Sequence, residues 1–80
     1  MGAAHTARYR EFLRRLRQAR EDAGLLQQEV ADLLGRHQPF VSRCESGERR
    51  VDVVDLQDFA EVYRKPLDYF LPPSKAKGRR

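Results

Sequence analysis

The stretch GLLQQEVADLLGRHQPFVSRCESGERR, residues 24–50, decides the fold, because it holds two short helical patterns with a glycine between them. Apolar residues recur at helical spacing over residues 27–34 and again over residues 38–46. Gly35 stands between the two patterns, where a residue in the left-handed conformation commonly ends a helix. The stretch therefore predicts a helix-turn-helix of about 20 residues.

Helical periodicity continues on both sides of this stretch, and the sequence contains no alternating strand pattern. A first helix follows Thr6, which can cap its start, and stops at Gly24. A fourth follows Asp52, a favourable N-cap, and PLDYFL at residues 66–71 makes a short fifth. The predicted fold is all-α, a compact bundle of five helices that contains the helix-turn-helix as its second and third.

The 80 residues make one domain at most, which we assign to residues 6–71. Residues 1–5 are predicted to be a flexible N-terminus, and residues 72–80 a basic flexible tail. The chain has 16 basic and 12 acidic side chains and a net charge of +4, which favours a polyanionic partner. Acidic residues outnumber basic ones in residues 51–71, so this segment should face away from such a partner.

Several classes of function lack the residues that they need. Cys44 is the single cysteine, so no intramolecular disulfide can form, as is usual in a reducing compartment. No apolar run is long enough for a membrane span, and the N-terminus has no hydrophobic signal region, so we expect a cytoplasmic protein without a membrane partner. His37 and Cys44 are too far apart for a nucleophile–base pair, and no third ligand is near for a metal. We therefore predict no enzyme, no metal site and no cofactor.

On a helical wheel, the pattern over residues 38–46 has two different faces. Val41, Cys44 and Glu45 share one face, which we expect to pack inward. The opposite side and the first turn carry groups that suit the DNA major groove, where glutamine can pair with adenine and arginine with guanine. The candidate base contacts are Gln38, Pro39, Ser42 and Arg43.

Further groups around the motif could contact the DNA backbone. Gln27 opens the first helix of the motif, where backbone N–H groups and the helix dipole attract a phosphate. Phe40 suits a DNA contact and a packing contact at the rim of the second helix equally well. The arginines of the first helix suit a solvated face better than a second DNA site. The candidate phosphate contacts are Gln27, Arg36, His37, Phe40, Arg49 and Arg50.

The stretch resembles the Xre/Cro type of helix-turn-helix domain, the lambda-repressor-like family. The usual run of this family is Gly-Leu-Thr-Gln-Glu-x-Leu-Ala, then Leu-Gly, then Ser-Gln-x-x-Ile-Ser-x-x-Glu-x-Gly. RLRQARE upstream and LQDFAEVY downstream also resemble its first and fourth helices, so the resemblance covers about residues 8–71. The matching positions are Gly24, Leu25, Gln27, Ala31, Leu34, Gly35, Gln38, Val41, Ser42, Glu45 and Gly47.

The resemblance implies a five-helix domain that binds operator DNA, usually as a two-fold dimer. By position, it implies that Gln27 holds a phosphate and that Gln38, Pro39 and Arg43 stand where family members read bases. It also implies an ion pair between Arg20 of the first helix and Glu45 of the third.

The sequence departs from the family pattern at five positions, one of which is Pro66, where the usual cap of the fifth helix is missing. Leu26 and His37 stand where serine or threonine usually caps a helix, and each lost cap should cost about 1 kcal/mol. Arg36 takes a turn position that is normally apolar, so its side chain should reach outward. Pro39 supplies no hydrogen bond to a base, so base reading should rest mainly on the remaining polar side chains.

The sequence thus predicts a sequence-specific DNA-binding transcriptional regulator, a repressor or controller, whose partners are double-stranded DNA and a second copy of itself. One alternative is an antitoxin whose main partner is a toxin protein, with DNA binding as autoregulation. Another is a protein-interaction module of the same fold that has lost DNA binding. The fifth helix has more apolar area than so short a helix can bury alone, which makes it the candidate dimer surface. The residues assigned to that surface are Leu67, Tyr69, Phe70 and Leu71.

Overall fold

The computed structural model describes residues 5–74, which contain five α-helices and no β-strand. This confirms the predicted all-α architecture. No helix within the described residues is long and apolar enough to cross a membrane. The helices are α1 (Ala7–Asp22), α2 (Gln27–Leu34), α3 (Gln38–Ser46), α4 (Val53–Tyr63) and α5 (Leu67–Phe70).

Side-chain caps fix the starts of the two longer helices, as the sequence predicts. The Thr6 hydroxyl accepts a hydrogen bond from the backbone N–H of Tyr9 at 3.0 Å, and the Asp52 carboxylate accepts one from the N–H of Asp55 at 2.8 Å. Leu26 and His37 provide no side-chain cap to α2 and α3. The helix-turn-helix therefore owes its stability to tertiary packing more than to its own helix ends.

The C-terminal ends of α2 and α3 are set by glycines in the left-handed region, with φ of +67° at Gly35 and +87° at Gly47. Gly47 also lies in a confined place, because an added Cβ would come within 2.7 Å of His5 Nε2 and 2.9 Å of Leu13 Cδ1. His5 Nε2 lies 2.7 Å from the Gly47 carbonyl oxygen, which can only accept, so the imidazole donates this hydrogen bond. The end of α3 is thereby tied to the start of α1.

One continuous core joins all five helices and holds α3 by its inner face. Phe59 of α4 lies at its centre with no exposed surface, and the predicted inward residues Val41 and Cys44 are also fully buried. Burial raises the pKa of the Cys44 thiol to about 11, as expected for a small core residue. The buried apolar residues are Phe12, Leu16, Ala19, Val30, Ala31, Val41, Cys44, Leu56, Phe59, Ala60, Tyr63 and Phe70.

α5 is attached to the bundle by the buried Phe70, by the partly buried Tyr69 and by carbonyl groups at its C-terminal end. Phe70 is fully buried in the chain's own core, so its predicted place on a dimer surface is wrong. The guanidinium of Arg15 in α1 donates to the carbonyl oxygens of Tyr69 and Leu71, both at 3.1 Å. Leu67 and Leu71 remain exposed and Tyr69 is half-buried, so three of the four predicted residues keep surface to offer.

The predicted flexible ends fall mostly outside the described residues, which omit residues 1–4 and 75–80. Within the description, His5 is hydrogen-bonded to the α3–α4 turn, and the carbonyl oxygen of Pro73 accepts a hydrogen bond from Arg8 Nε at 3.2 Å. The described parts of both ends therefore lie against the helical bundle.

Candidate nucleic-acid interface

α3 shows the two faces that its sequence predicts. Val41, Cys44 and Glu45 are buried, whereas Pro39 and Arg43 are exposed on the other side of the helix. Gln38 and Ser42 are half-buried at the edges of that exposed face. The core thus fixes α3 so that its polar face is free for a partner.

Glu45 is the one charged residue of the described chain that is buried, and its environment satisfies its charge. Arg20 of α1 binds it through two contacts, with Nε to Oε2 at 2.6 Å and Nη2 to Oε1 at 3.1 Å. The hydrogen bond to Glu45 raises the pKa of Arg20, which favours the charged state of the pair. Arg20 also donates to the Leu25 carbonyl oxygen at 3.0 Å. The structure therefore contains the Arg20–Glu45 pair and uses it to join α1, α3 and the loop before α2.

Two glutamines continue this network to the exposed face of α3. Gln27 Nε2 donates to Glu45 Oε1 at 3.0 Å, and Gln38 Nε2 donates to Gln27 Oε1 at 2.7 Å. A carboxylate accepts only, so Glu45 fixes which end of the Gln27 amide faces Gln38. Gln38 keeps its carbonyl oxygen and one N–H for a partner, the acceptor–donor pair that adenine requires. Gln27 keeps one N–H, which limits a phosphate contact there to one side-chain hydrogen bond.

Beside the first turn of α3 lies an open basic cleft of about 430 Å³. Six of its seven lining residues are predicted DNA contacts, and three of these are arginines. The seventh is Gly35 of the α2–α3 turn. We call this basic cleft the α3 cleft. Its lining residues are Gly35, Arg36, His37, Pro39, Phe40, Arg43 and Arg49.

Phe40 has a packing role in this cleft. Its ring stacks on Phe59 of the core with the centroids 6.0 Å apart, and the Arg36 and Arg49 guanidinium carbons lie 3.7 and 5.0 Å from its centroid. Its backbone N–H already donates to the carbonyl oxygen of His37, so Phe40 has no free donor for the predicted phosphate contact. The predicted rim-packing role fits it, but with α4 as the partner in place of α2. The guanidinium groups of Arg36 and Arg49 both lie over the ring of Phe40.

The remaining predicted contacts differ in position. Arg43 is 59% exposed and has only a distant ionic partner, Glu48, at 4.0 Å. The Ser42 hydroxyl lies 3.5 Å from the Pro39 carbonyl oxygen of its own helix. Arg50 points away from Arg49, because its guanidinium carbon lies 4.5 Å from the centroid of the Tyr9 ring of α1. The structure therefore brings Arg49 into the α3 cleft and leaves Arg50 outside it.

Comparison with known proteins assigns the family. A family model for the helix-turn-helix domain matches residues 11–68. The solved structure of an XRE-family like protein from Pseudomonas syringae pv. tomato str. DC3000 is similar, with 42% sequence identity and a TM-score of 0.75 over 80% of this chain and 78% of that one. The chain belongs to the Xre type of helix-turn-helix domain. No curated protein matches the sequence. The assignment confirms the family resemblance and supports DNA binding in gene regulation as the general function.

Asp55 is a residue of this Xre-type domain whose second role the sequence did not reveal. It lies in the first turn of α4, where a negative charge suits the helix dipole, but its side chain also contacts arginines of the α3 cleft and is only 14% exposed. Its two carboxylate oxygens lie 3.8 Å from Arg36 Nη1 and 4.0 Å from Arg49 Nη2. Asp55 therefore holds both arginines on the Phe40 ring, and no spacing in the sequence indicates this contact.

Proposed function

We propose that this Xre-type domain is a transcriptional repressor or controller that reads operator half-sites by inserting α3 into the major groove of DNA. The observation that carries the proposal is the exposed polar face of α3, backed by a core that fixes the helix and flanked by the basic α3 cleft. A helix fits the width of the major groove, and its first turns reach the base edges.

Base reading is assigned to Gln38 and Arg43. Gln38 is oriented by the chain of hydrogen bonds through Gln27 to Glu45 and offers an acceptor–donor pair suited to adenine. Arg43 is free enough to give a bidentate contact to guanine. Pro39 and Ser42 lie on the same side of α3 and supply apolar contact and a hydroxyl group.

Phosphate binding is assigned to the rims of the reading face. Arg36 and Arg49 are held side by side on Phe40 and paired with Asp55 only at distances near 4 Å, so both retain guanidinium N–H groups for a phosphate. Gln27 contributes at the start of α2, where the helix dipole favours a negative charge. His37 lines the same cleft, and its imidazole can donate a hydrogen bond to the DNA phosphate backbone.

A second copy of the chain completes the proposed operator complex. Two domains related by a two-fold axis would present two α3 helices to half-sites about one helical turn apart. Leu67 and Leu71 are 43% and 50% exposed, and Tyr69 is half-buried beside them. These three side chains of α5 form the surface that we assign to the dimer.

Selection of bound sequences from random duplex DNA tests the proposal. The expected result is an enriched palindrome whose half-sites contain an adenine and a guanine that Gln38→Ala and Arg43→Ala, respectively, cease to select. Enrichment of a single half-site would contradict the dimer and leave the reading face standing. Absence of enrichment would contradict operator reading and favour the protein-interaction alternative.

A further inference from the structure

A second basic cleft lies on the other side of the α1–α3 contact. It has a volume of about 400 Å³ and is separate from the α3 cleft, since the two share no lining residue. Its floor includes Leu13 of α1, and Ser46 at the end of α3 forms one edge. We call it the α1 arginine cleft, after Arg10, Arg14 and Arg17, which line it.

The three arginines lie on one face of α1 because they are four and three residues apart. Arg14 and Arg17 are 61% and 60% exposed. Arg14 is partly neutralised by Glu11, which holds it at 2.8 Å. Arg17 has no partner closer than the 4.0 Å that separates its Nε from Glu45 Oε1 among the contacts of the described residues. The cleft thus exposes more positive charge than its neighbours neutralise, and Glu21 is the one acidic residue that lines it.

A chain of polar contacts links this cleft to the proposed reading face of α3. The carboxylate oxygen of Glu45 that lies nearest to Arg17 is the one that accepts the hydrogen bond from Gln27. Gln27 in turn accepts from Gln38, the first residue of α3. Arg17 is therefore linked to Gln38, at the start of the proposed reading face, through Glu45 and Gln27, and we place the DNA backbone that flanks a half-site on this side of α3.

We propose that the α1 arginine cleft binds the phosphodiester backbone beside each half-site and so lengthens the DNA footprint of the domain. This inference rests on the proposed function. The span from Arg10 to Arg17 is about 10 Å of helix, and one strand of DNA carries a phosphate about every 3.4 Å along its axis. The row of three guanidinium groups therefore extends over a length comparable to three phosphate intervals of one strand.

The test is a salt titration of binding to a 30-base-pair duplex carrying the selected operator. Each lost phosphate contact lowers the slope of log K against log[salt] by about 0.9. Arg17→Gln should lower the slope by about that amount and weaken binding roughly three- to tenfold at low salt. Arg10→Gln/Arg17→Gln should lower the slope by about twice as much.

Two control variants test the alternatives to a phosphate site: the first tests an effect of net charge, and the second a purely structural role of the arginines. Arg64→Gln removes one charge from an exposed residue at the end of α4, in the acidic part of the chain, and should leave the slope unchanged. Glu21→Gln removes the acidic group of the cleft and should raise affinity for DNA of any sequence, which a purely structural role of the arginines does not explain.

The outcomes distinguish this inference from the proposed function. Unchanged slopes in both arginine variants, with the original chain still binding the operator, would overturn the α1 arginine cleft alone. An equal loss in Arg64→Gln would also overturn it, because net charge would then account for the effect. Failure of the original chain to bind duplex DNA would overturn both. Thermal unfolding of each variant checks that these exposed substitutions leave the fold intact.

Discussion

At the scale of single residues, the base-reading role that we propose for Arg43 can be tested separately from stability. Arg43 is 59% exposed, and its one ionic contact within residues 5–74 is a 4.0 Å approach to the exposed Glu48, so truncation should cost the fold almost nothing. Arg43→Ala is expected to weaken operator binding by about 1–3 kcal/mol and to relax the preference at one base pair. Equilibrium binding to the operator and to single-base variants measures both effects.

Glu48→Ala is the matched control, since it removes the partner of Arg43 and leaves the guanidinium in place. It should keep the base preference. Operator affinity and base preference unchanged in Arg43→Ala would show that α3 reads DNA with another set of side chains.

Removal of the hydroxyl group of Tyr63 and of Tyr9 should change the stability of the fold in opposite directions. The Tyr63 hydroxyl is buried without a hydrogen-bond partner among the described residues, and burial raises the pKa of the phenol. Tyr63→Phe removes an unsatisfied polar group and should therefore raise the free energy of unfolding by about 1 kcal/mol. The Tyr9 hydroxyl accepts a hydrogen bond from the N–H of Val51 at 3.1 Å, so Tyr9→Phe should lower the free energy of unfolding by a similar amount. Urea unfolding of the two variants compares them, and equal signs would refute this account of the core.

At the scale of elements, the sequence predicted helices well because their ends are determined locally. Helices begin after the side-chain caps Thr6 and Asp52 and end at the glycines Gly35 and Gly47. Contacts between helices are set by the three-dimensional arrangement, and here the sequence was less informative.

Three residues show where local pattern fails. Phe70 and Leu71 are adjacent apolar residues, and only the packing of α5 on α1 decides that the first is buried and the second exposed. Asp55 faces two arginines because the start of α4 lies beside the α2–α3 turn, which no spacing along the chain encodes. Polar contacts of this kind depend on the fold, so the sequence predicted the interface as a set of residues, and the Arg20–Glu45 pair, which the family resemblance implied, was the one contact of the network that was predicted.

The turn after α3 yields an element-scale prediction with an internal control. Gly47 and Gly24 both have positive φ, +87° and +72°, so alanine is strained at either position. An added Cβ at Gly47 would also meet His5 and Leu13 below 3.0 Å, whereas at Gly24 it would meet nothing within 4 Å. Gly24→Ala should therefore cost about 1 kcal/mol and Gly47→Ala clearly more.

Urea unfolding measures this difference, and the His5→Ala background tests its cause. If the greater cost of Gly47→Ala comes from crowding against the imidazole, this substitution should lower the free energy of unfolding less in the His5→Ala background than in the original chain. Equal costs for the two glycines would show that the start of α1 does not hold the end of α3.

At the scale of the whole molecule, the exposed charges are distributed unevenly among the helices. Arg36 and Arg49 lie beside α3 in the α3 cleft, while α4 carries the exposed acidic residues Asp58 and Glu61. A domain with this asymmetry is oriented on a polyanion before any base is read, which favours fast association at low salt. The exposed leucines of α5 lie in the acidic part of the sequence, so a partner there need not compete with DNA.

The dimer surface gives the last prediction. Leu67→Glu/Leu71→Glu places two charges on α5 at positions that are 43% and 50% exposed, so the monomer should stay folded while a two-fold contact there is broken. Sedimentation should then show a monomer, and binding to a palindrome should weaken while binding to one half-site is unchanged. Leu33→Glu is the control, since Leu33 is 64% exposed on α2, away from α5 in the sequence. If Leu33→Glu dissociates the dimer and the α5 variant does not, the two-fold contact lies on the helix-turn-helix side of the domain, and the spacing of half-sites would have to be derived from that contact instead.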